Sequence, residues 1–423
     1  MPERVVLLSI PQVRRRDITP GALASLDRMC ARGALNNLAP AFPSLSATAF
    51  ATLTTGVDAA HHGAVASAFL DRATQRVVGP FLNDSDISGE KLWESAAKLR
   101  PGAKTLTWFA PNTEGAAVDL WAGLTADGHL RTQPESLGEE LIRRFGPFPN
   151  PLGGPAAAAP RLEMTAWLIR TAAHVIATEA PDLAIVRVPH LGHVARRHGP
   201  DGRDAARAIH DLDRLLGPFL AALPKTTAVL AATETVATPV SEPIDLNRIL
   251  RDLNVLRLRS LDKEGTDIDL AASKAFAICE HQIAHLYVNQ PEILPVVAAA
   301  LSGEFSDGIS LVLQGATRAR MGLNHPRAGD LVLVANPDRW FRSDWWRNPR
   351  EVPRITPCPS GLDSGSLRLV ADPARVQGSI GAPISNTHDM GMLACSFPPR
   401  GPRTEGLRVR DIRDRVLELL KEG

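Results

Sequence analysis

The chain carries forty Arg against seven Lys among its 423 residues. A guanidinium presents five donors in a planar fork that matches phosphate, sulfate or carboxylate, so the bias toward Arg is the first chemical signal in the sequence. Two places concentrate it. Arg14, Arg15 and Arg16 form a run, and Arg187, Arg196 and Arg197 surround His190 and His193 in RVPHLGHVARRHGP. A run of like charges is ordinarily a solvated face, which is the bland reading of 14–16. Arg196 reads either as an anion contact or as half of an internal salt bridge. His281 and His285 stand four apart, as two metal ligands on a helix would, but their segment ends as a strand and no metal site is expected there. Cys30, Cys279, Cys358 and Cys395 are far apart and form no CxxC, so zinc knuckles and dithiol redox chemistry are excluded.

The elements that must position these groups follow from periodicity. Charged residues are 22%, hydrophobic residues 44% and the net charge is +1. This is a globular composition with no global field to recruit a nucleic acid polymer or an anionic membrane. No apolar run approaches a membrane span, and a cytoplasmic location is expected. Val5–Ile10 is a continuous apolar run of the kind found in central parallel strands. Lys104–Phe109, Leu183–Val188 and Ala228–Ala232 read alike, with helical patterns at Gly21–Arg32, Lys91–Lys98, Leu162–Glu179 and Asp201–Leu216. Strands alternating with helices predict an α/β fold, a mostly parallel sheet covered on both faces. Pro147–Pro160 reads as a loop. The expected division is a core of 1–244 and 331–423, with a small α+β insertion or cap at 245–330. Trp340, Phe341, Trp345 and Trp346 are expected in the core. Ligands of such sheets sit beyond the carboxyl ends of the strands, so the places to search follow Ile10, Leu45, Val188 and Ala232.

Those places carry a resemblance. FPSLSATAFATLTTG (42–56), followed by His62-Gly63, resembles the signature of type I phosphodiesterases and nucleotide pyrophosphatases, in the alkaline phosphatase superfamily. VPHLGHVARRHGP (188–200), the segments at 232–256, 273–288 and 324–341, and VQGSIG (376–381) follow in the family's order. The resemblance implies an alkaline-phosphatase-like fold and two-metal phosphoryl transfer through a hydroxyl nucleophile. Ser46 stands at the nucleophile position and Ser67 at that of a phosphate-binding Asn. The metal-ligand positions have changed. Pro11, Gly192, Arg196, Thr235, Pro357 and Ile380 stand where the family has Asp or His, and Glu234 alone keeps a carboxylate.

Three functions are therefore weighed. The first is a metal-independent enzyme acting on a small phosphate, sulfate or related ester. Ser46, His193 and Glu234 would form a Ser-His-acid arrangement, and Ser67, Arg187, Arg196 and Arg14 would bind the anion, with no metal and no cofactor. The second is a non-catalytic pseudoenzyme that binds an anionic ligand or partner. The third is a conventional metal-dependent phosphodiesterase with rearranged ligands. The oligomeric state is not readable.

Overall fold

The computed structural model describes residues 2–125, 128–149, 161–261, 265–352, 376–384, 386–398 and 406–422. Pro357 and most of the Pro147–Pro160 stretch lie outside them. An eight-stranded sheet forms the centre. Its order is Ala34–Leu38, Gly391–Cys395, Thr227–Ala232, Arg4–Ser9, Leu183–Arg187, Thr105–Trp108, Leu120–Leu124, Leu130–Gln133. The five strands from Thr227–Ala232 to Leu120–Leu124 run parallel, and antiparallel partners close both sides. The α/β expectation holds.

Alternation along these strands explains the two layers. Val6, Leu8 and Ile10 face one way, joining Trp108, Val186 and the helices Arg161–Glu179 and Arg203–Ala222 through Val175, Leu212 and Leu216. Val5 and Leu7 face the other way. They pack with Leu230, with Phe50 and Leu53 of the helix Ser46–Thr55, and with Ile412 and Val416 of the C-terminal helix Ile412–Glu422. A strand buried on both faces needs apolar side chains on each, which is why VVLL reads as an unbroken run before the buried Ser9.

A second sheet is antiparallel throughout, in the order Ala275–Glu280, Ile283–Val288, Leu331–Ala335, Ile309–Leu313. Leu331–Ala335 lies inside it, so the boundary expected after residue 330 falls between two strands of this sheet. Beyond it, Glu242–Asp245 pairs with Arg339–Arg342. A central strand of one sheet and a strand of another share the same apolar signature, so composition could not assign Leu331–Ala335. Trp340, Phe341 and Trp345 are buried, as expected of core residues.

One glycine is held by close approach. A Cβ on Gly33 would lie 1.9 Å from the Cys395 carbonyl oxygen and 2.8 Å from its carbon. Gly33→Ala must push apart the pairing of Ala34–Leu38 with Gly391–Cys395. A loss of about 1–3 kcal/mol in urea denaturation is expected, as for other overpacked sites.

Candidate functional site

Three strand ends and one helix start meet at Ser46. Ser9 is level with Arg187 on one neighbouring strand and with Ala232 on the other. Ser9 alternates with Leu7 and Val5, so it shares the face that the Ser46–Thr55 helix covers. Glu234 follows two residues after Ala232. This places Ser9, Arg187 and Glu234 beneath the first turn of the helix.

Ser46 opens a ten-residue helix of small residues that ends at Gly56, whose φ of 75° suits a left-handed C-terminal residue. Its N-cap residue is Leu45, which makes no capping hydrogen bond. The amides of the first turn thus lack a side-chain acceptor, and the positive end of the helix dipole lies at Ser46. Asn112 Nδ2 donates to Ala47 O at 2.8 Å and anchors this turn.

Arg187 joins the two remaining groups. Its Nη2 donates to Ser46 Oγ at 3.4 Å and its Nε donates to Glu234 Oε1 at 2.9 Å. The Glu234 side chain is 0% exposed and that of Arg187 11%. A carboxylate so buried needs a cation, and Arg187 provides it. Several neighbouring oxygens are buried without a hydrogen-bond partner: Ser9 Oγ, Ser44 Oγ, Thr48 Oγ1 and Glu234 Oε2. Buried hydroxyls without a protein partner are uncommon in folded proteins, and Ser44 and Thr48 flank the start of the helix along the chain.

Arg187 donates to both Ser46 and Glu234, and His193 lies half-buried on the helix Gly192–His198. Three of the remaining anticipated residues are committed elsewhere. Ser67 N and Oγ both donate to the Glu280 carboxylate, each at 2.7 Å. Arg14 is 3% exposed and pairs with Asp201 at 2.7 Å and Asp389 at 3.2 Å. The surface-patch reading therefore fails for Arg14. Arg196 Nη1 meets His281 Nδ1 at 3.0 Å and lies over Trp340, 5.8 Å from the ring centre. His285 sits on a strand, its Nδ1 accepting from Gly329 N at 3.1 Å.

Two ligand positions of the resemblance are visible as packing. Ile380 is buried against an apolar group that includes Leu45, Ala195 and Ala237. Pro11 is buried and leads into Gln12, a non-glycine residue at φ 65°. Gln12 N donates to Thr235 O at 2.7 Å and Gln12 Nε2 to Thr235 Oγ1 at 3.0 Å, which holds this unfavourable backbone. Sequence reading missed Ser9, Ser44, Thr48 and Glu280. Signals for two of them existed, namely a serine closing VVLLS in step with Val5 and Leu7, and a lone acid in the apolar AFAICE strand.

Residues 5–361 match the family model described as type I phosphodiesterase / nucleotide pyrophosphatase. No curated protein matches the chain. Among solved structures, it resembles phosphonoacetate hydrolase from Sinorhizobium meliloti 1021 in complex with phosphonoformate, with a TM-score of 0.67 at 14% identity, over 99% of this chain and 96% of that one. It also resembles murine ectonucleotide pyrophosphatase / phosphodiesterase 5, with a TM-score of 0.66 at 14% identity, over 99% and 95%. An inactive form of the murine protein is known in complex with AMP. At such identity the likeness speaks for the fold alone.

Proposed function

Because the chain belongs to the type I phosphodiesterase / nucleotide pyrophosphatase family, we propose that it acts on a phosphate, sulfate or related ester at Ser46, without the family's dinuclear zinc centre. One observation carries this reading: a single guanidinium bridges the Ser46 hydroxyl and the one surviving acid.

The residues present do not fit two metal ions. Zinc takes several N, O or S donors close to 2 Å. Pro11, Gly192 and Ile380 offer no side-chain donor, and Arg196 brings a positive charge. Among the described residues no three His, Cys, Asp or Glu gather into a metal-binding group. Glu234 already faces a cation, and a divalent ion beside Arg187 would be repelled by it.

Arg187 supplies charge to the ester instead. It donates to the serine oxygen, which favours the developing alkoxide, while the first-turn amides and the Ser9, Ser44 and Thr48 hydroxyls receive the ester's oxygens. Protein purified without chelator is expected to hold no stoichiometric zinc by atomic spectrometry, and EDTA is expected to leave its melting temperature unchanged. About two equivalents of zinc per chain would sink the proposal.

The second reading, a non-catalytic oxyanion binder, draws on a different observation. Ile380 packs into an apolar cluster that includes Leu45. Calorimetry with inorganic sulfate and vanadate tests the binding shared by both readings. Turnover lost in Ser46→Ala separates them.

A further inference from the structure

The antiparallel sheet ends differently on its two sides. Every residue of the edge strand Ala275–Glu280 is buried. Asn247 closes that edge: its Nδ2 donates to Ala277 O at 3.0 Å, and Ala277 N donates to its Oδ1 at 2.8 Å. The opposite edge, Ile309–Leu313, is open to solvent, with Ser310 and Leu311 exposed. Its sequence, ISLVL, is uncharged and suited to a pleated surface. Proteins commonly blunt such an edge with Lys, Pro or a bulge, because its outward N–H and C=O groups template another strand. Here a bulge lies between Ile309 and Leu311, and Ser310 Oγ turns back to Val334 O and Ala335 O, at 3.1 Å each. Beyond the bulge Leu311, Val312 and Leu313 resume a regular register.

Two exposed apolar side chains flank this edge. Val312 packs in the same core as Val297 and Leu301 of the helix Leu294–Ser302, and Val296 on that helix is 70% exposed. Leu311 alternates with Val312 and so shares the face of the buried Leu313, yet it is 40% exposed.

The charges along the edge are sorted. Where the strand begins, Glu242, Asp307 and Asp338 surround the single Arg339. Asp307 is 92% exposed, and Glu304, just before it, is exposed as well. Where the strand stops, Arg318 and Arg320 follow on the short helix Gly315–Arg320, and Arg318 donates to neutral groups, Gly329 O and Asn324 Oδ1. One end is acidic and the other basic.

We infer that Ile309–Leu313 pairs with the same strand of a second copy of this chain, antiparallel, about a two-fold axis near Val312. Leu311 of each copy then faces Leu313 of the other, and Glu304 comes level with Arg320. The antiparallel arrangement brings each acidic end to a basic end, whereas a parallel one would set like charges together. The self-complementary charges single out a second copy as the occupant. A pairing of five residues is small, so the contact extends to Leu294–Ser302 and Gly315–Arg320 and gives a reversible dimer, with a dissociation constant of about 10⁻⁶–10⁻⁵ M.

Sedimentation velocity and light scattering of the full chain, from below to well above that range, should show monomer passing to twice the mass and no further. Leu311→Lys, at an exposed position, should remain monomeric throughout, with circular dichroism and melting temperature like the parent. Arg320→Glu and Glu304→Arg should each raise the dissociation constant about tenfold or more. The double variant Glu304→Arg/Arg320→Glu exchanges the two signs and should return it to within about threefold of the parent. A chain that stays monomeric at every concentration would overturn the inference. So would a dimer indifferent to Leu311→Lys, growth to species beyond the dimer, or a double variant as weak as the single ones. These measurements read mass alone, so their failure would leave the proposal for Ser46 standing.

Discussion

Arg187→Met is expected to unfold far more readily than the parent chain, by about 3–5 kcal/mol in urea denaturation, and to lose sulfate binding. Methionine fills most of the volume but leaves Glu234 charged and 0% exposed, with no cation at 2.9 Å. A buried carboxylate stripped of its partner carries the full desolvation cost. The double variant Arg187→Met/Glu234→Gln removes that charge and should recover most of the lost stability. It should not recover oxyanion binding, because the donor to Ser46 is still gone. This split separates the electrostatic role of Arg187 from its packing. If the single variant is as stable as the parent, the ion pair does not hold this corner of the fold. If the double variant binds sulfate like the parent, Arg187 is not the anion's partner.

The second large effect is on acid stability. His62 is buried between a helix and a loop. Ala64 N donates to its Nδ1 at 3.1 Å, so in the neutral ring Nε2 carries the proton and donates to Thr52 Oγ1 at 3.0 Å. Burial, chiefly, lowers its pKa from 6.5 to about 3, and burial likewise lowers His285 to about 4. A base whose folded pKa is depressed is protonated first in the unfolded chain. Its contribution to stability is therefore complete above pH 6.5 and lost as pH falls below that value, at about 1.4 kcal/mol per pH unit per group. Asp17 and Asp344 act in the opposite direction. Burial raises both to about 6, so each adds stability as pH falls from about 6 toward 4. The parent profile sums these opposing slopes, and a variant is needed to isolate one of them. His62→Gln keeps a donor for Thr52 and removes the titration. Between pH 6.5 and pH 4.5 it should lose less stability than the parent, by about 2–3 kcal/mol. Parallel profiles would mean that His62 is not buried as a neutral ring.

Much of the fold was legible because local rules govern it. Val5–Ile10 and Leu183–Val188 announced buried parallel strands through largely apolar runs, and both lie at the centre of the main sheet. The edge strands Ala34–Leu38 and Leu130–Gln133 were not legible. Their sequences, ALNNL and LRTQ, mix polar and apolar residues because one side meets solvent, and the partner of the first, Gly391–Cys395, is far away in the chain. The site was legible in outline, since the carboxyl ends of the strands pointed to the stretches carrying Ser46, Arg187 and Glu234. Its internal pairing was not. Ser67, Arg14 and Arg196 had plausible chemistry for binding an anion, yet each meets a partner between 85 and 375 positions away.

By itself the sequence determined the layered α/β class and the presence of Pro11, Gly192 and Ile380, none of which carries a side-chain donor for a metal. These are properties of single positions and short periods, which no distant contact can alter. Only the tertiary structure decided which cation serves the serine. Several Arg side chains compete for a few buried acids, and a guanidinium goes where a desolvated carboxylate lies within reach. Asp201 and Asp389 claim Arg14, His281 engages Arg196, and Glu234 holds Arg187 beside Ser46.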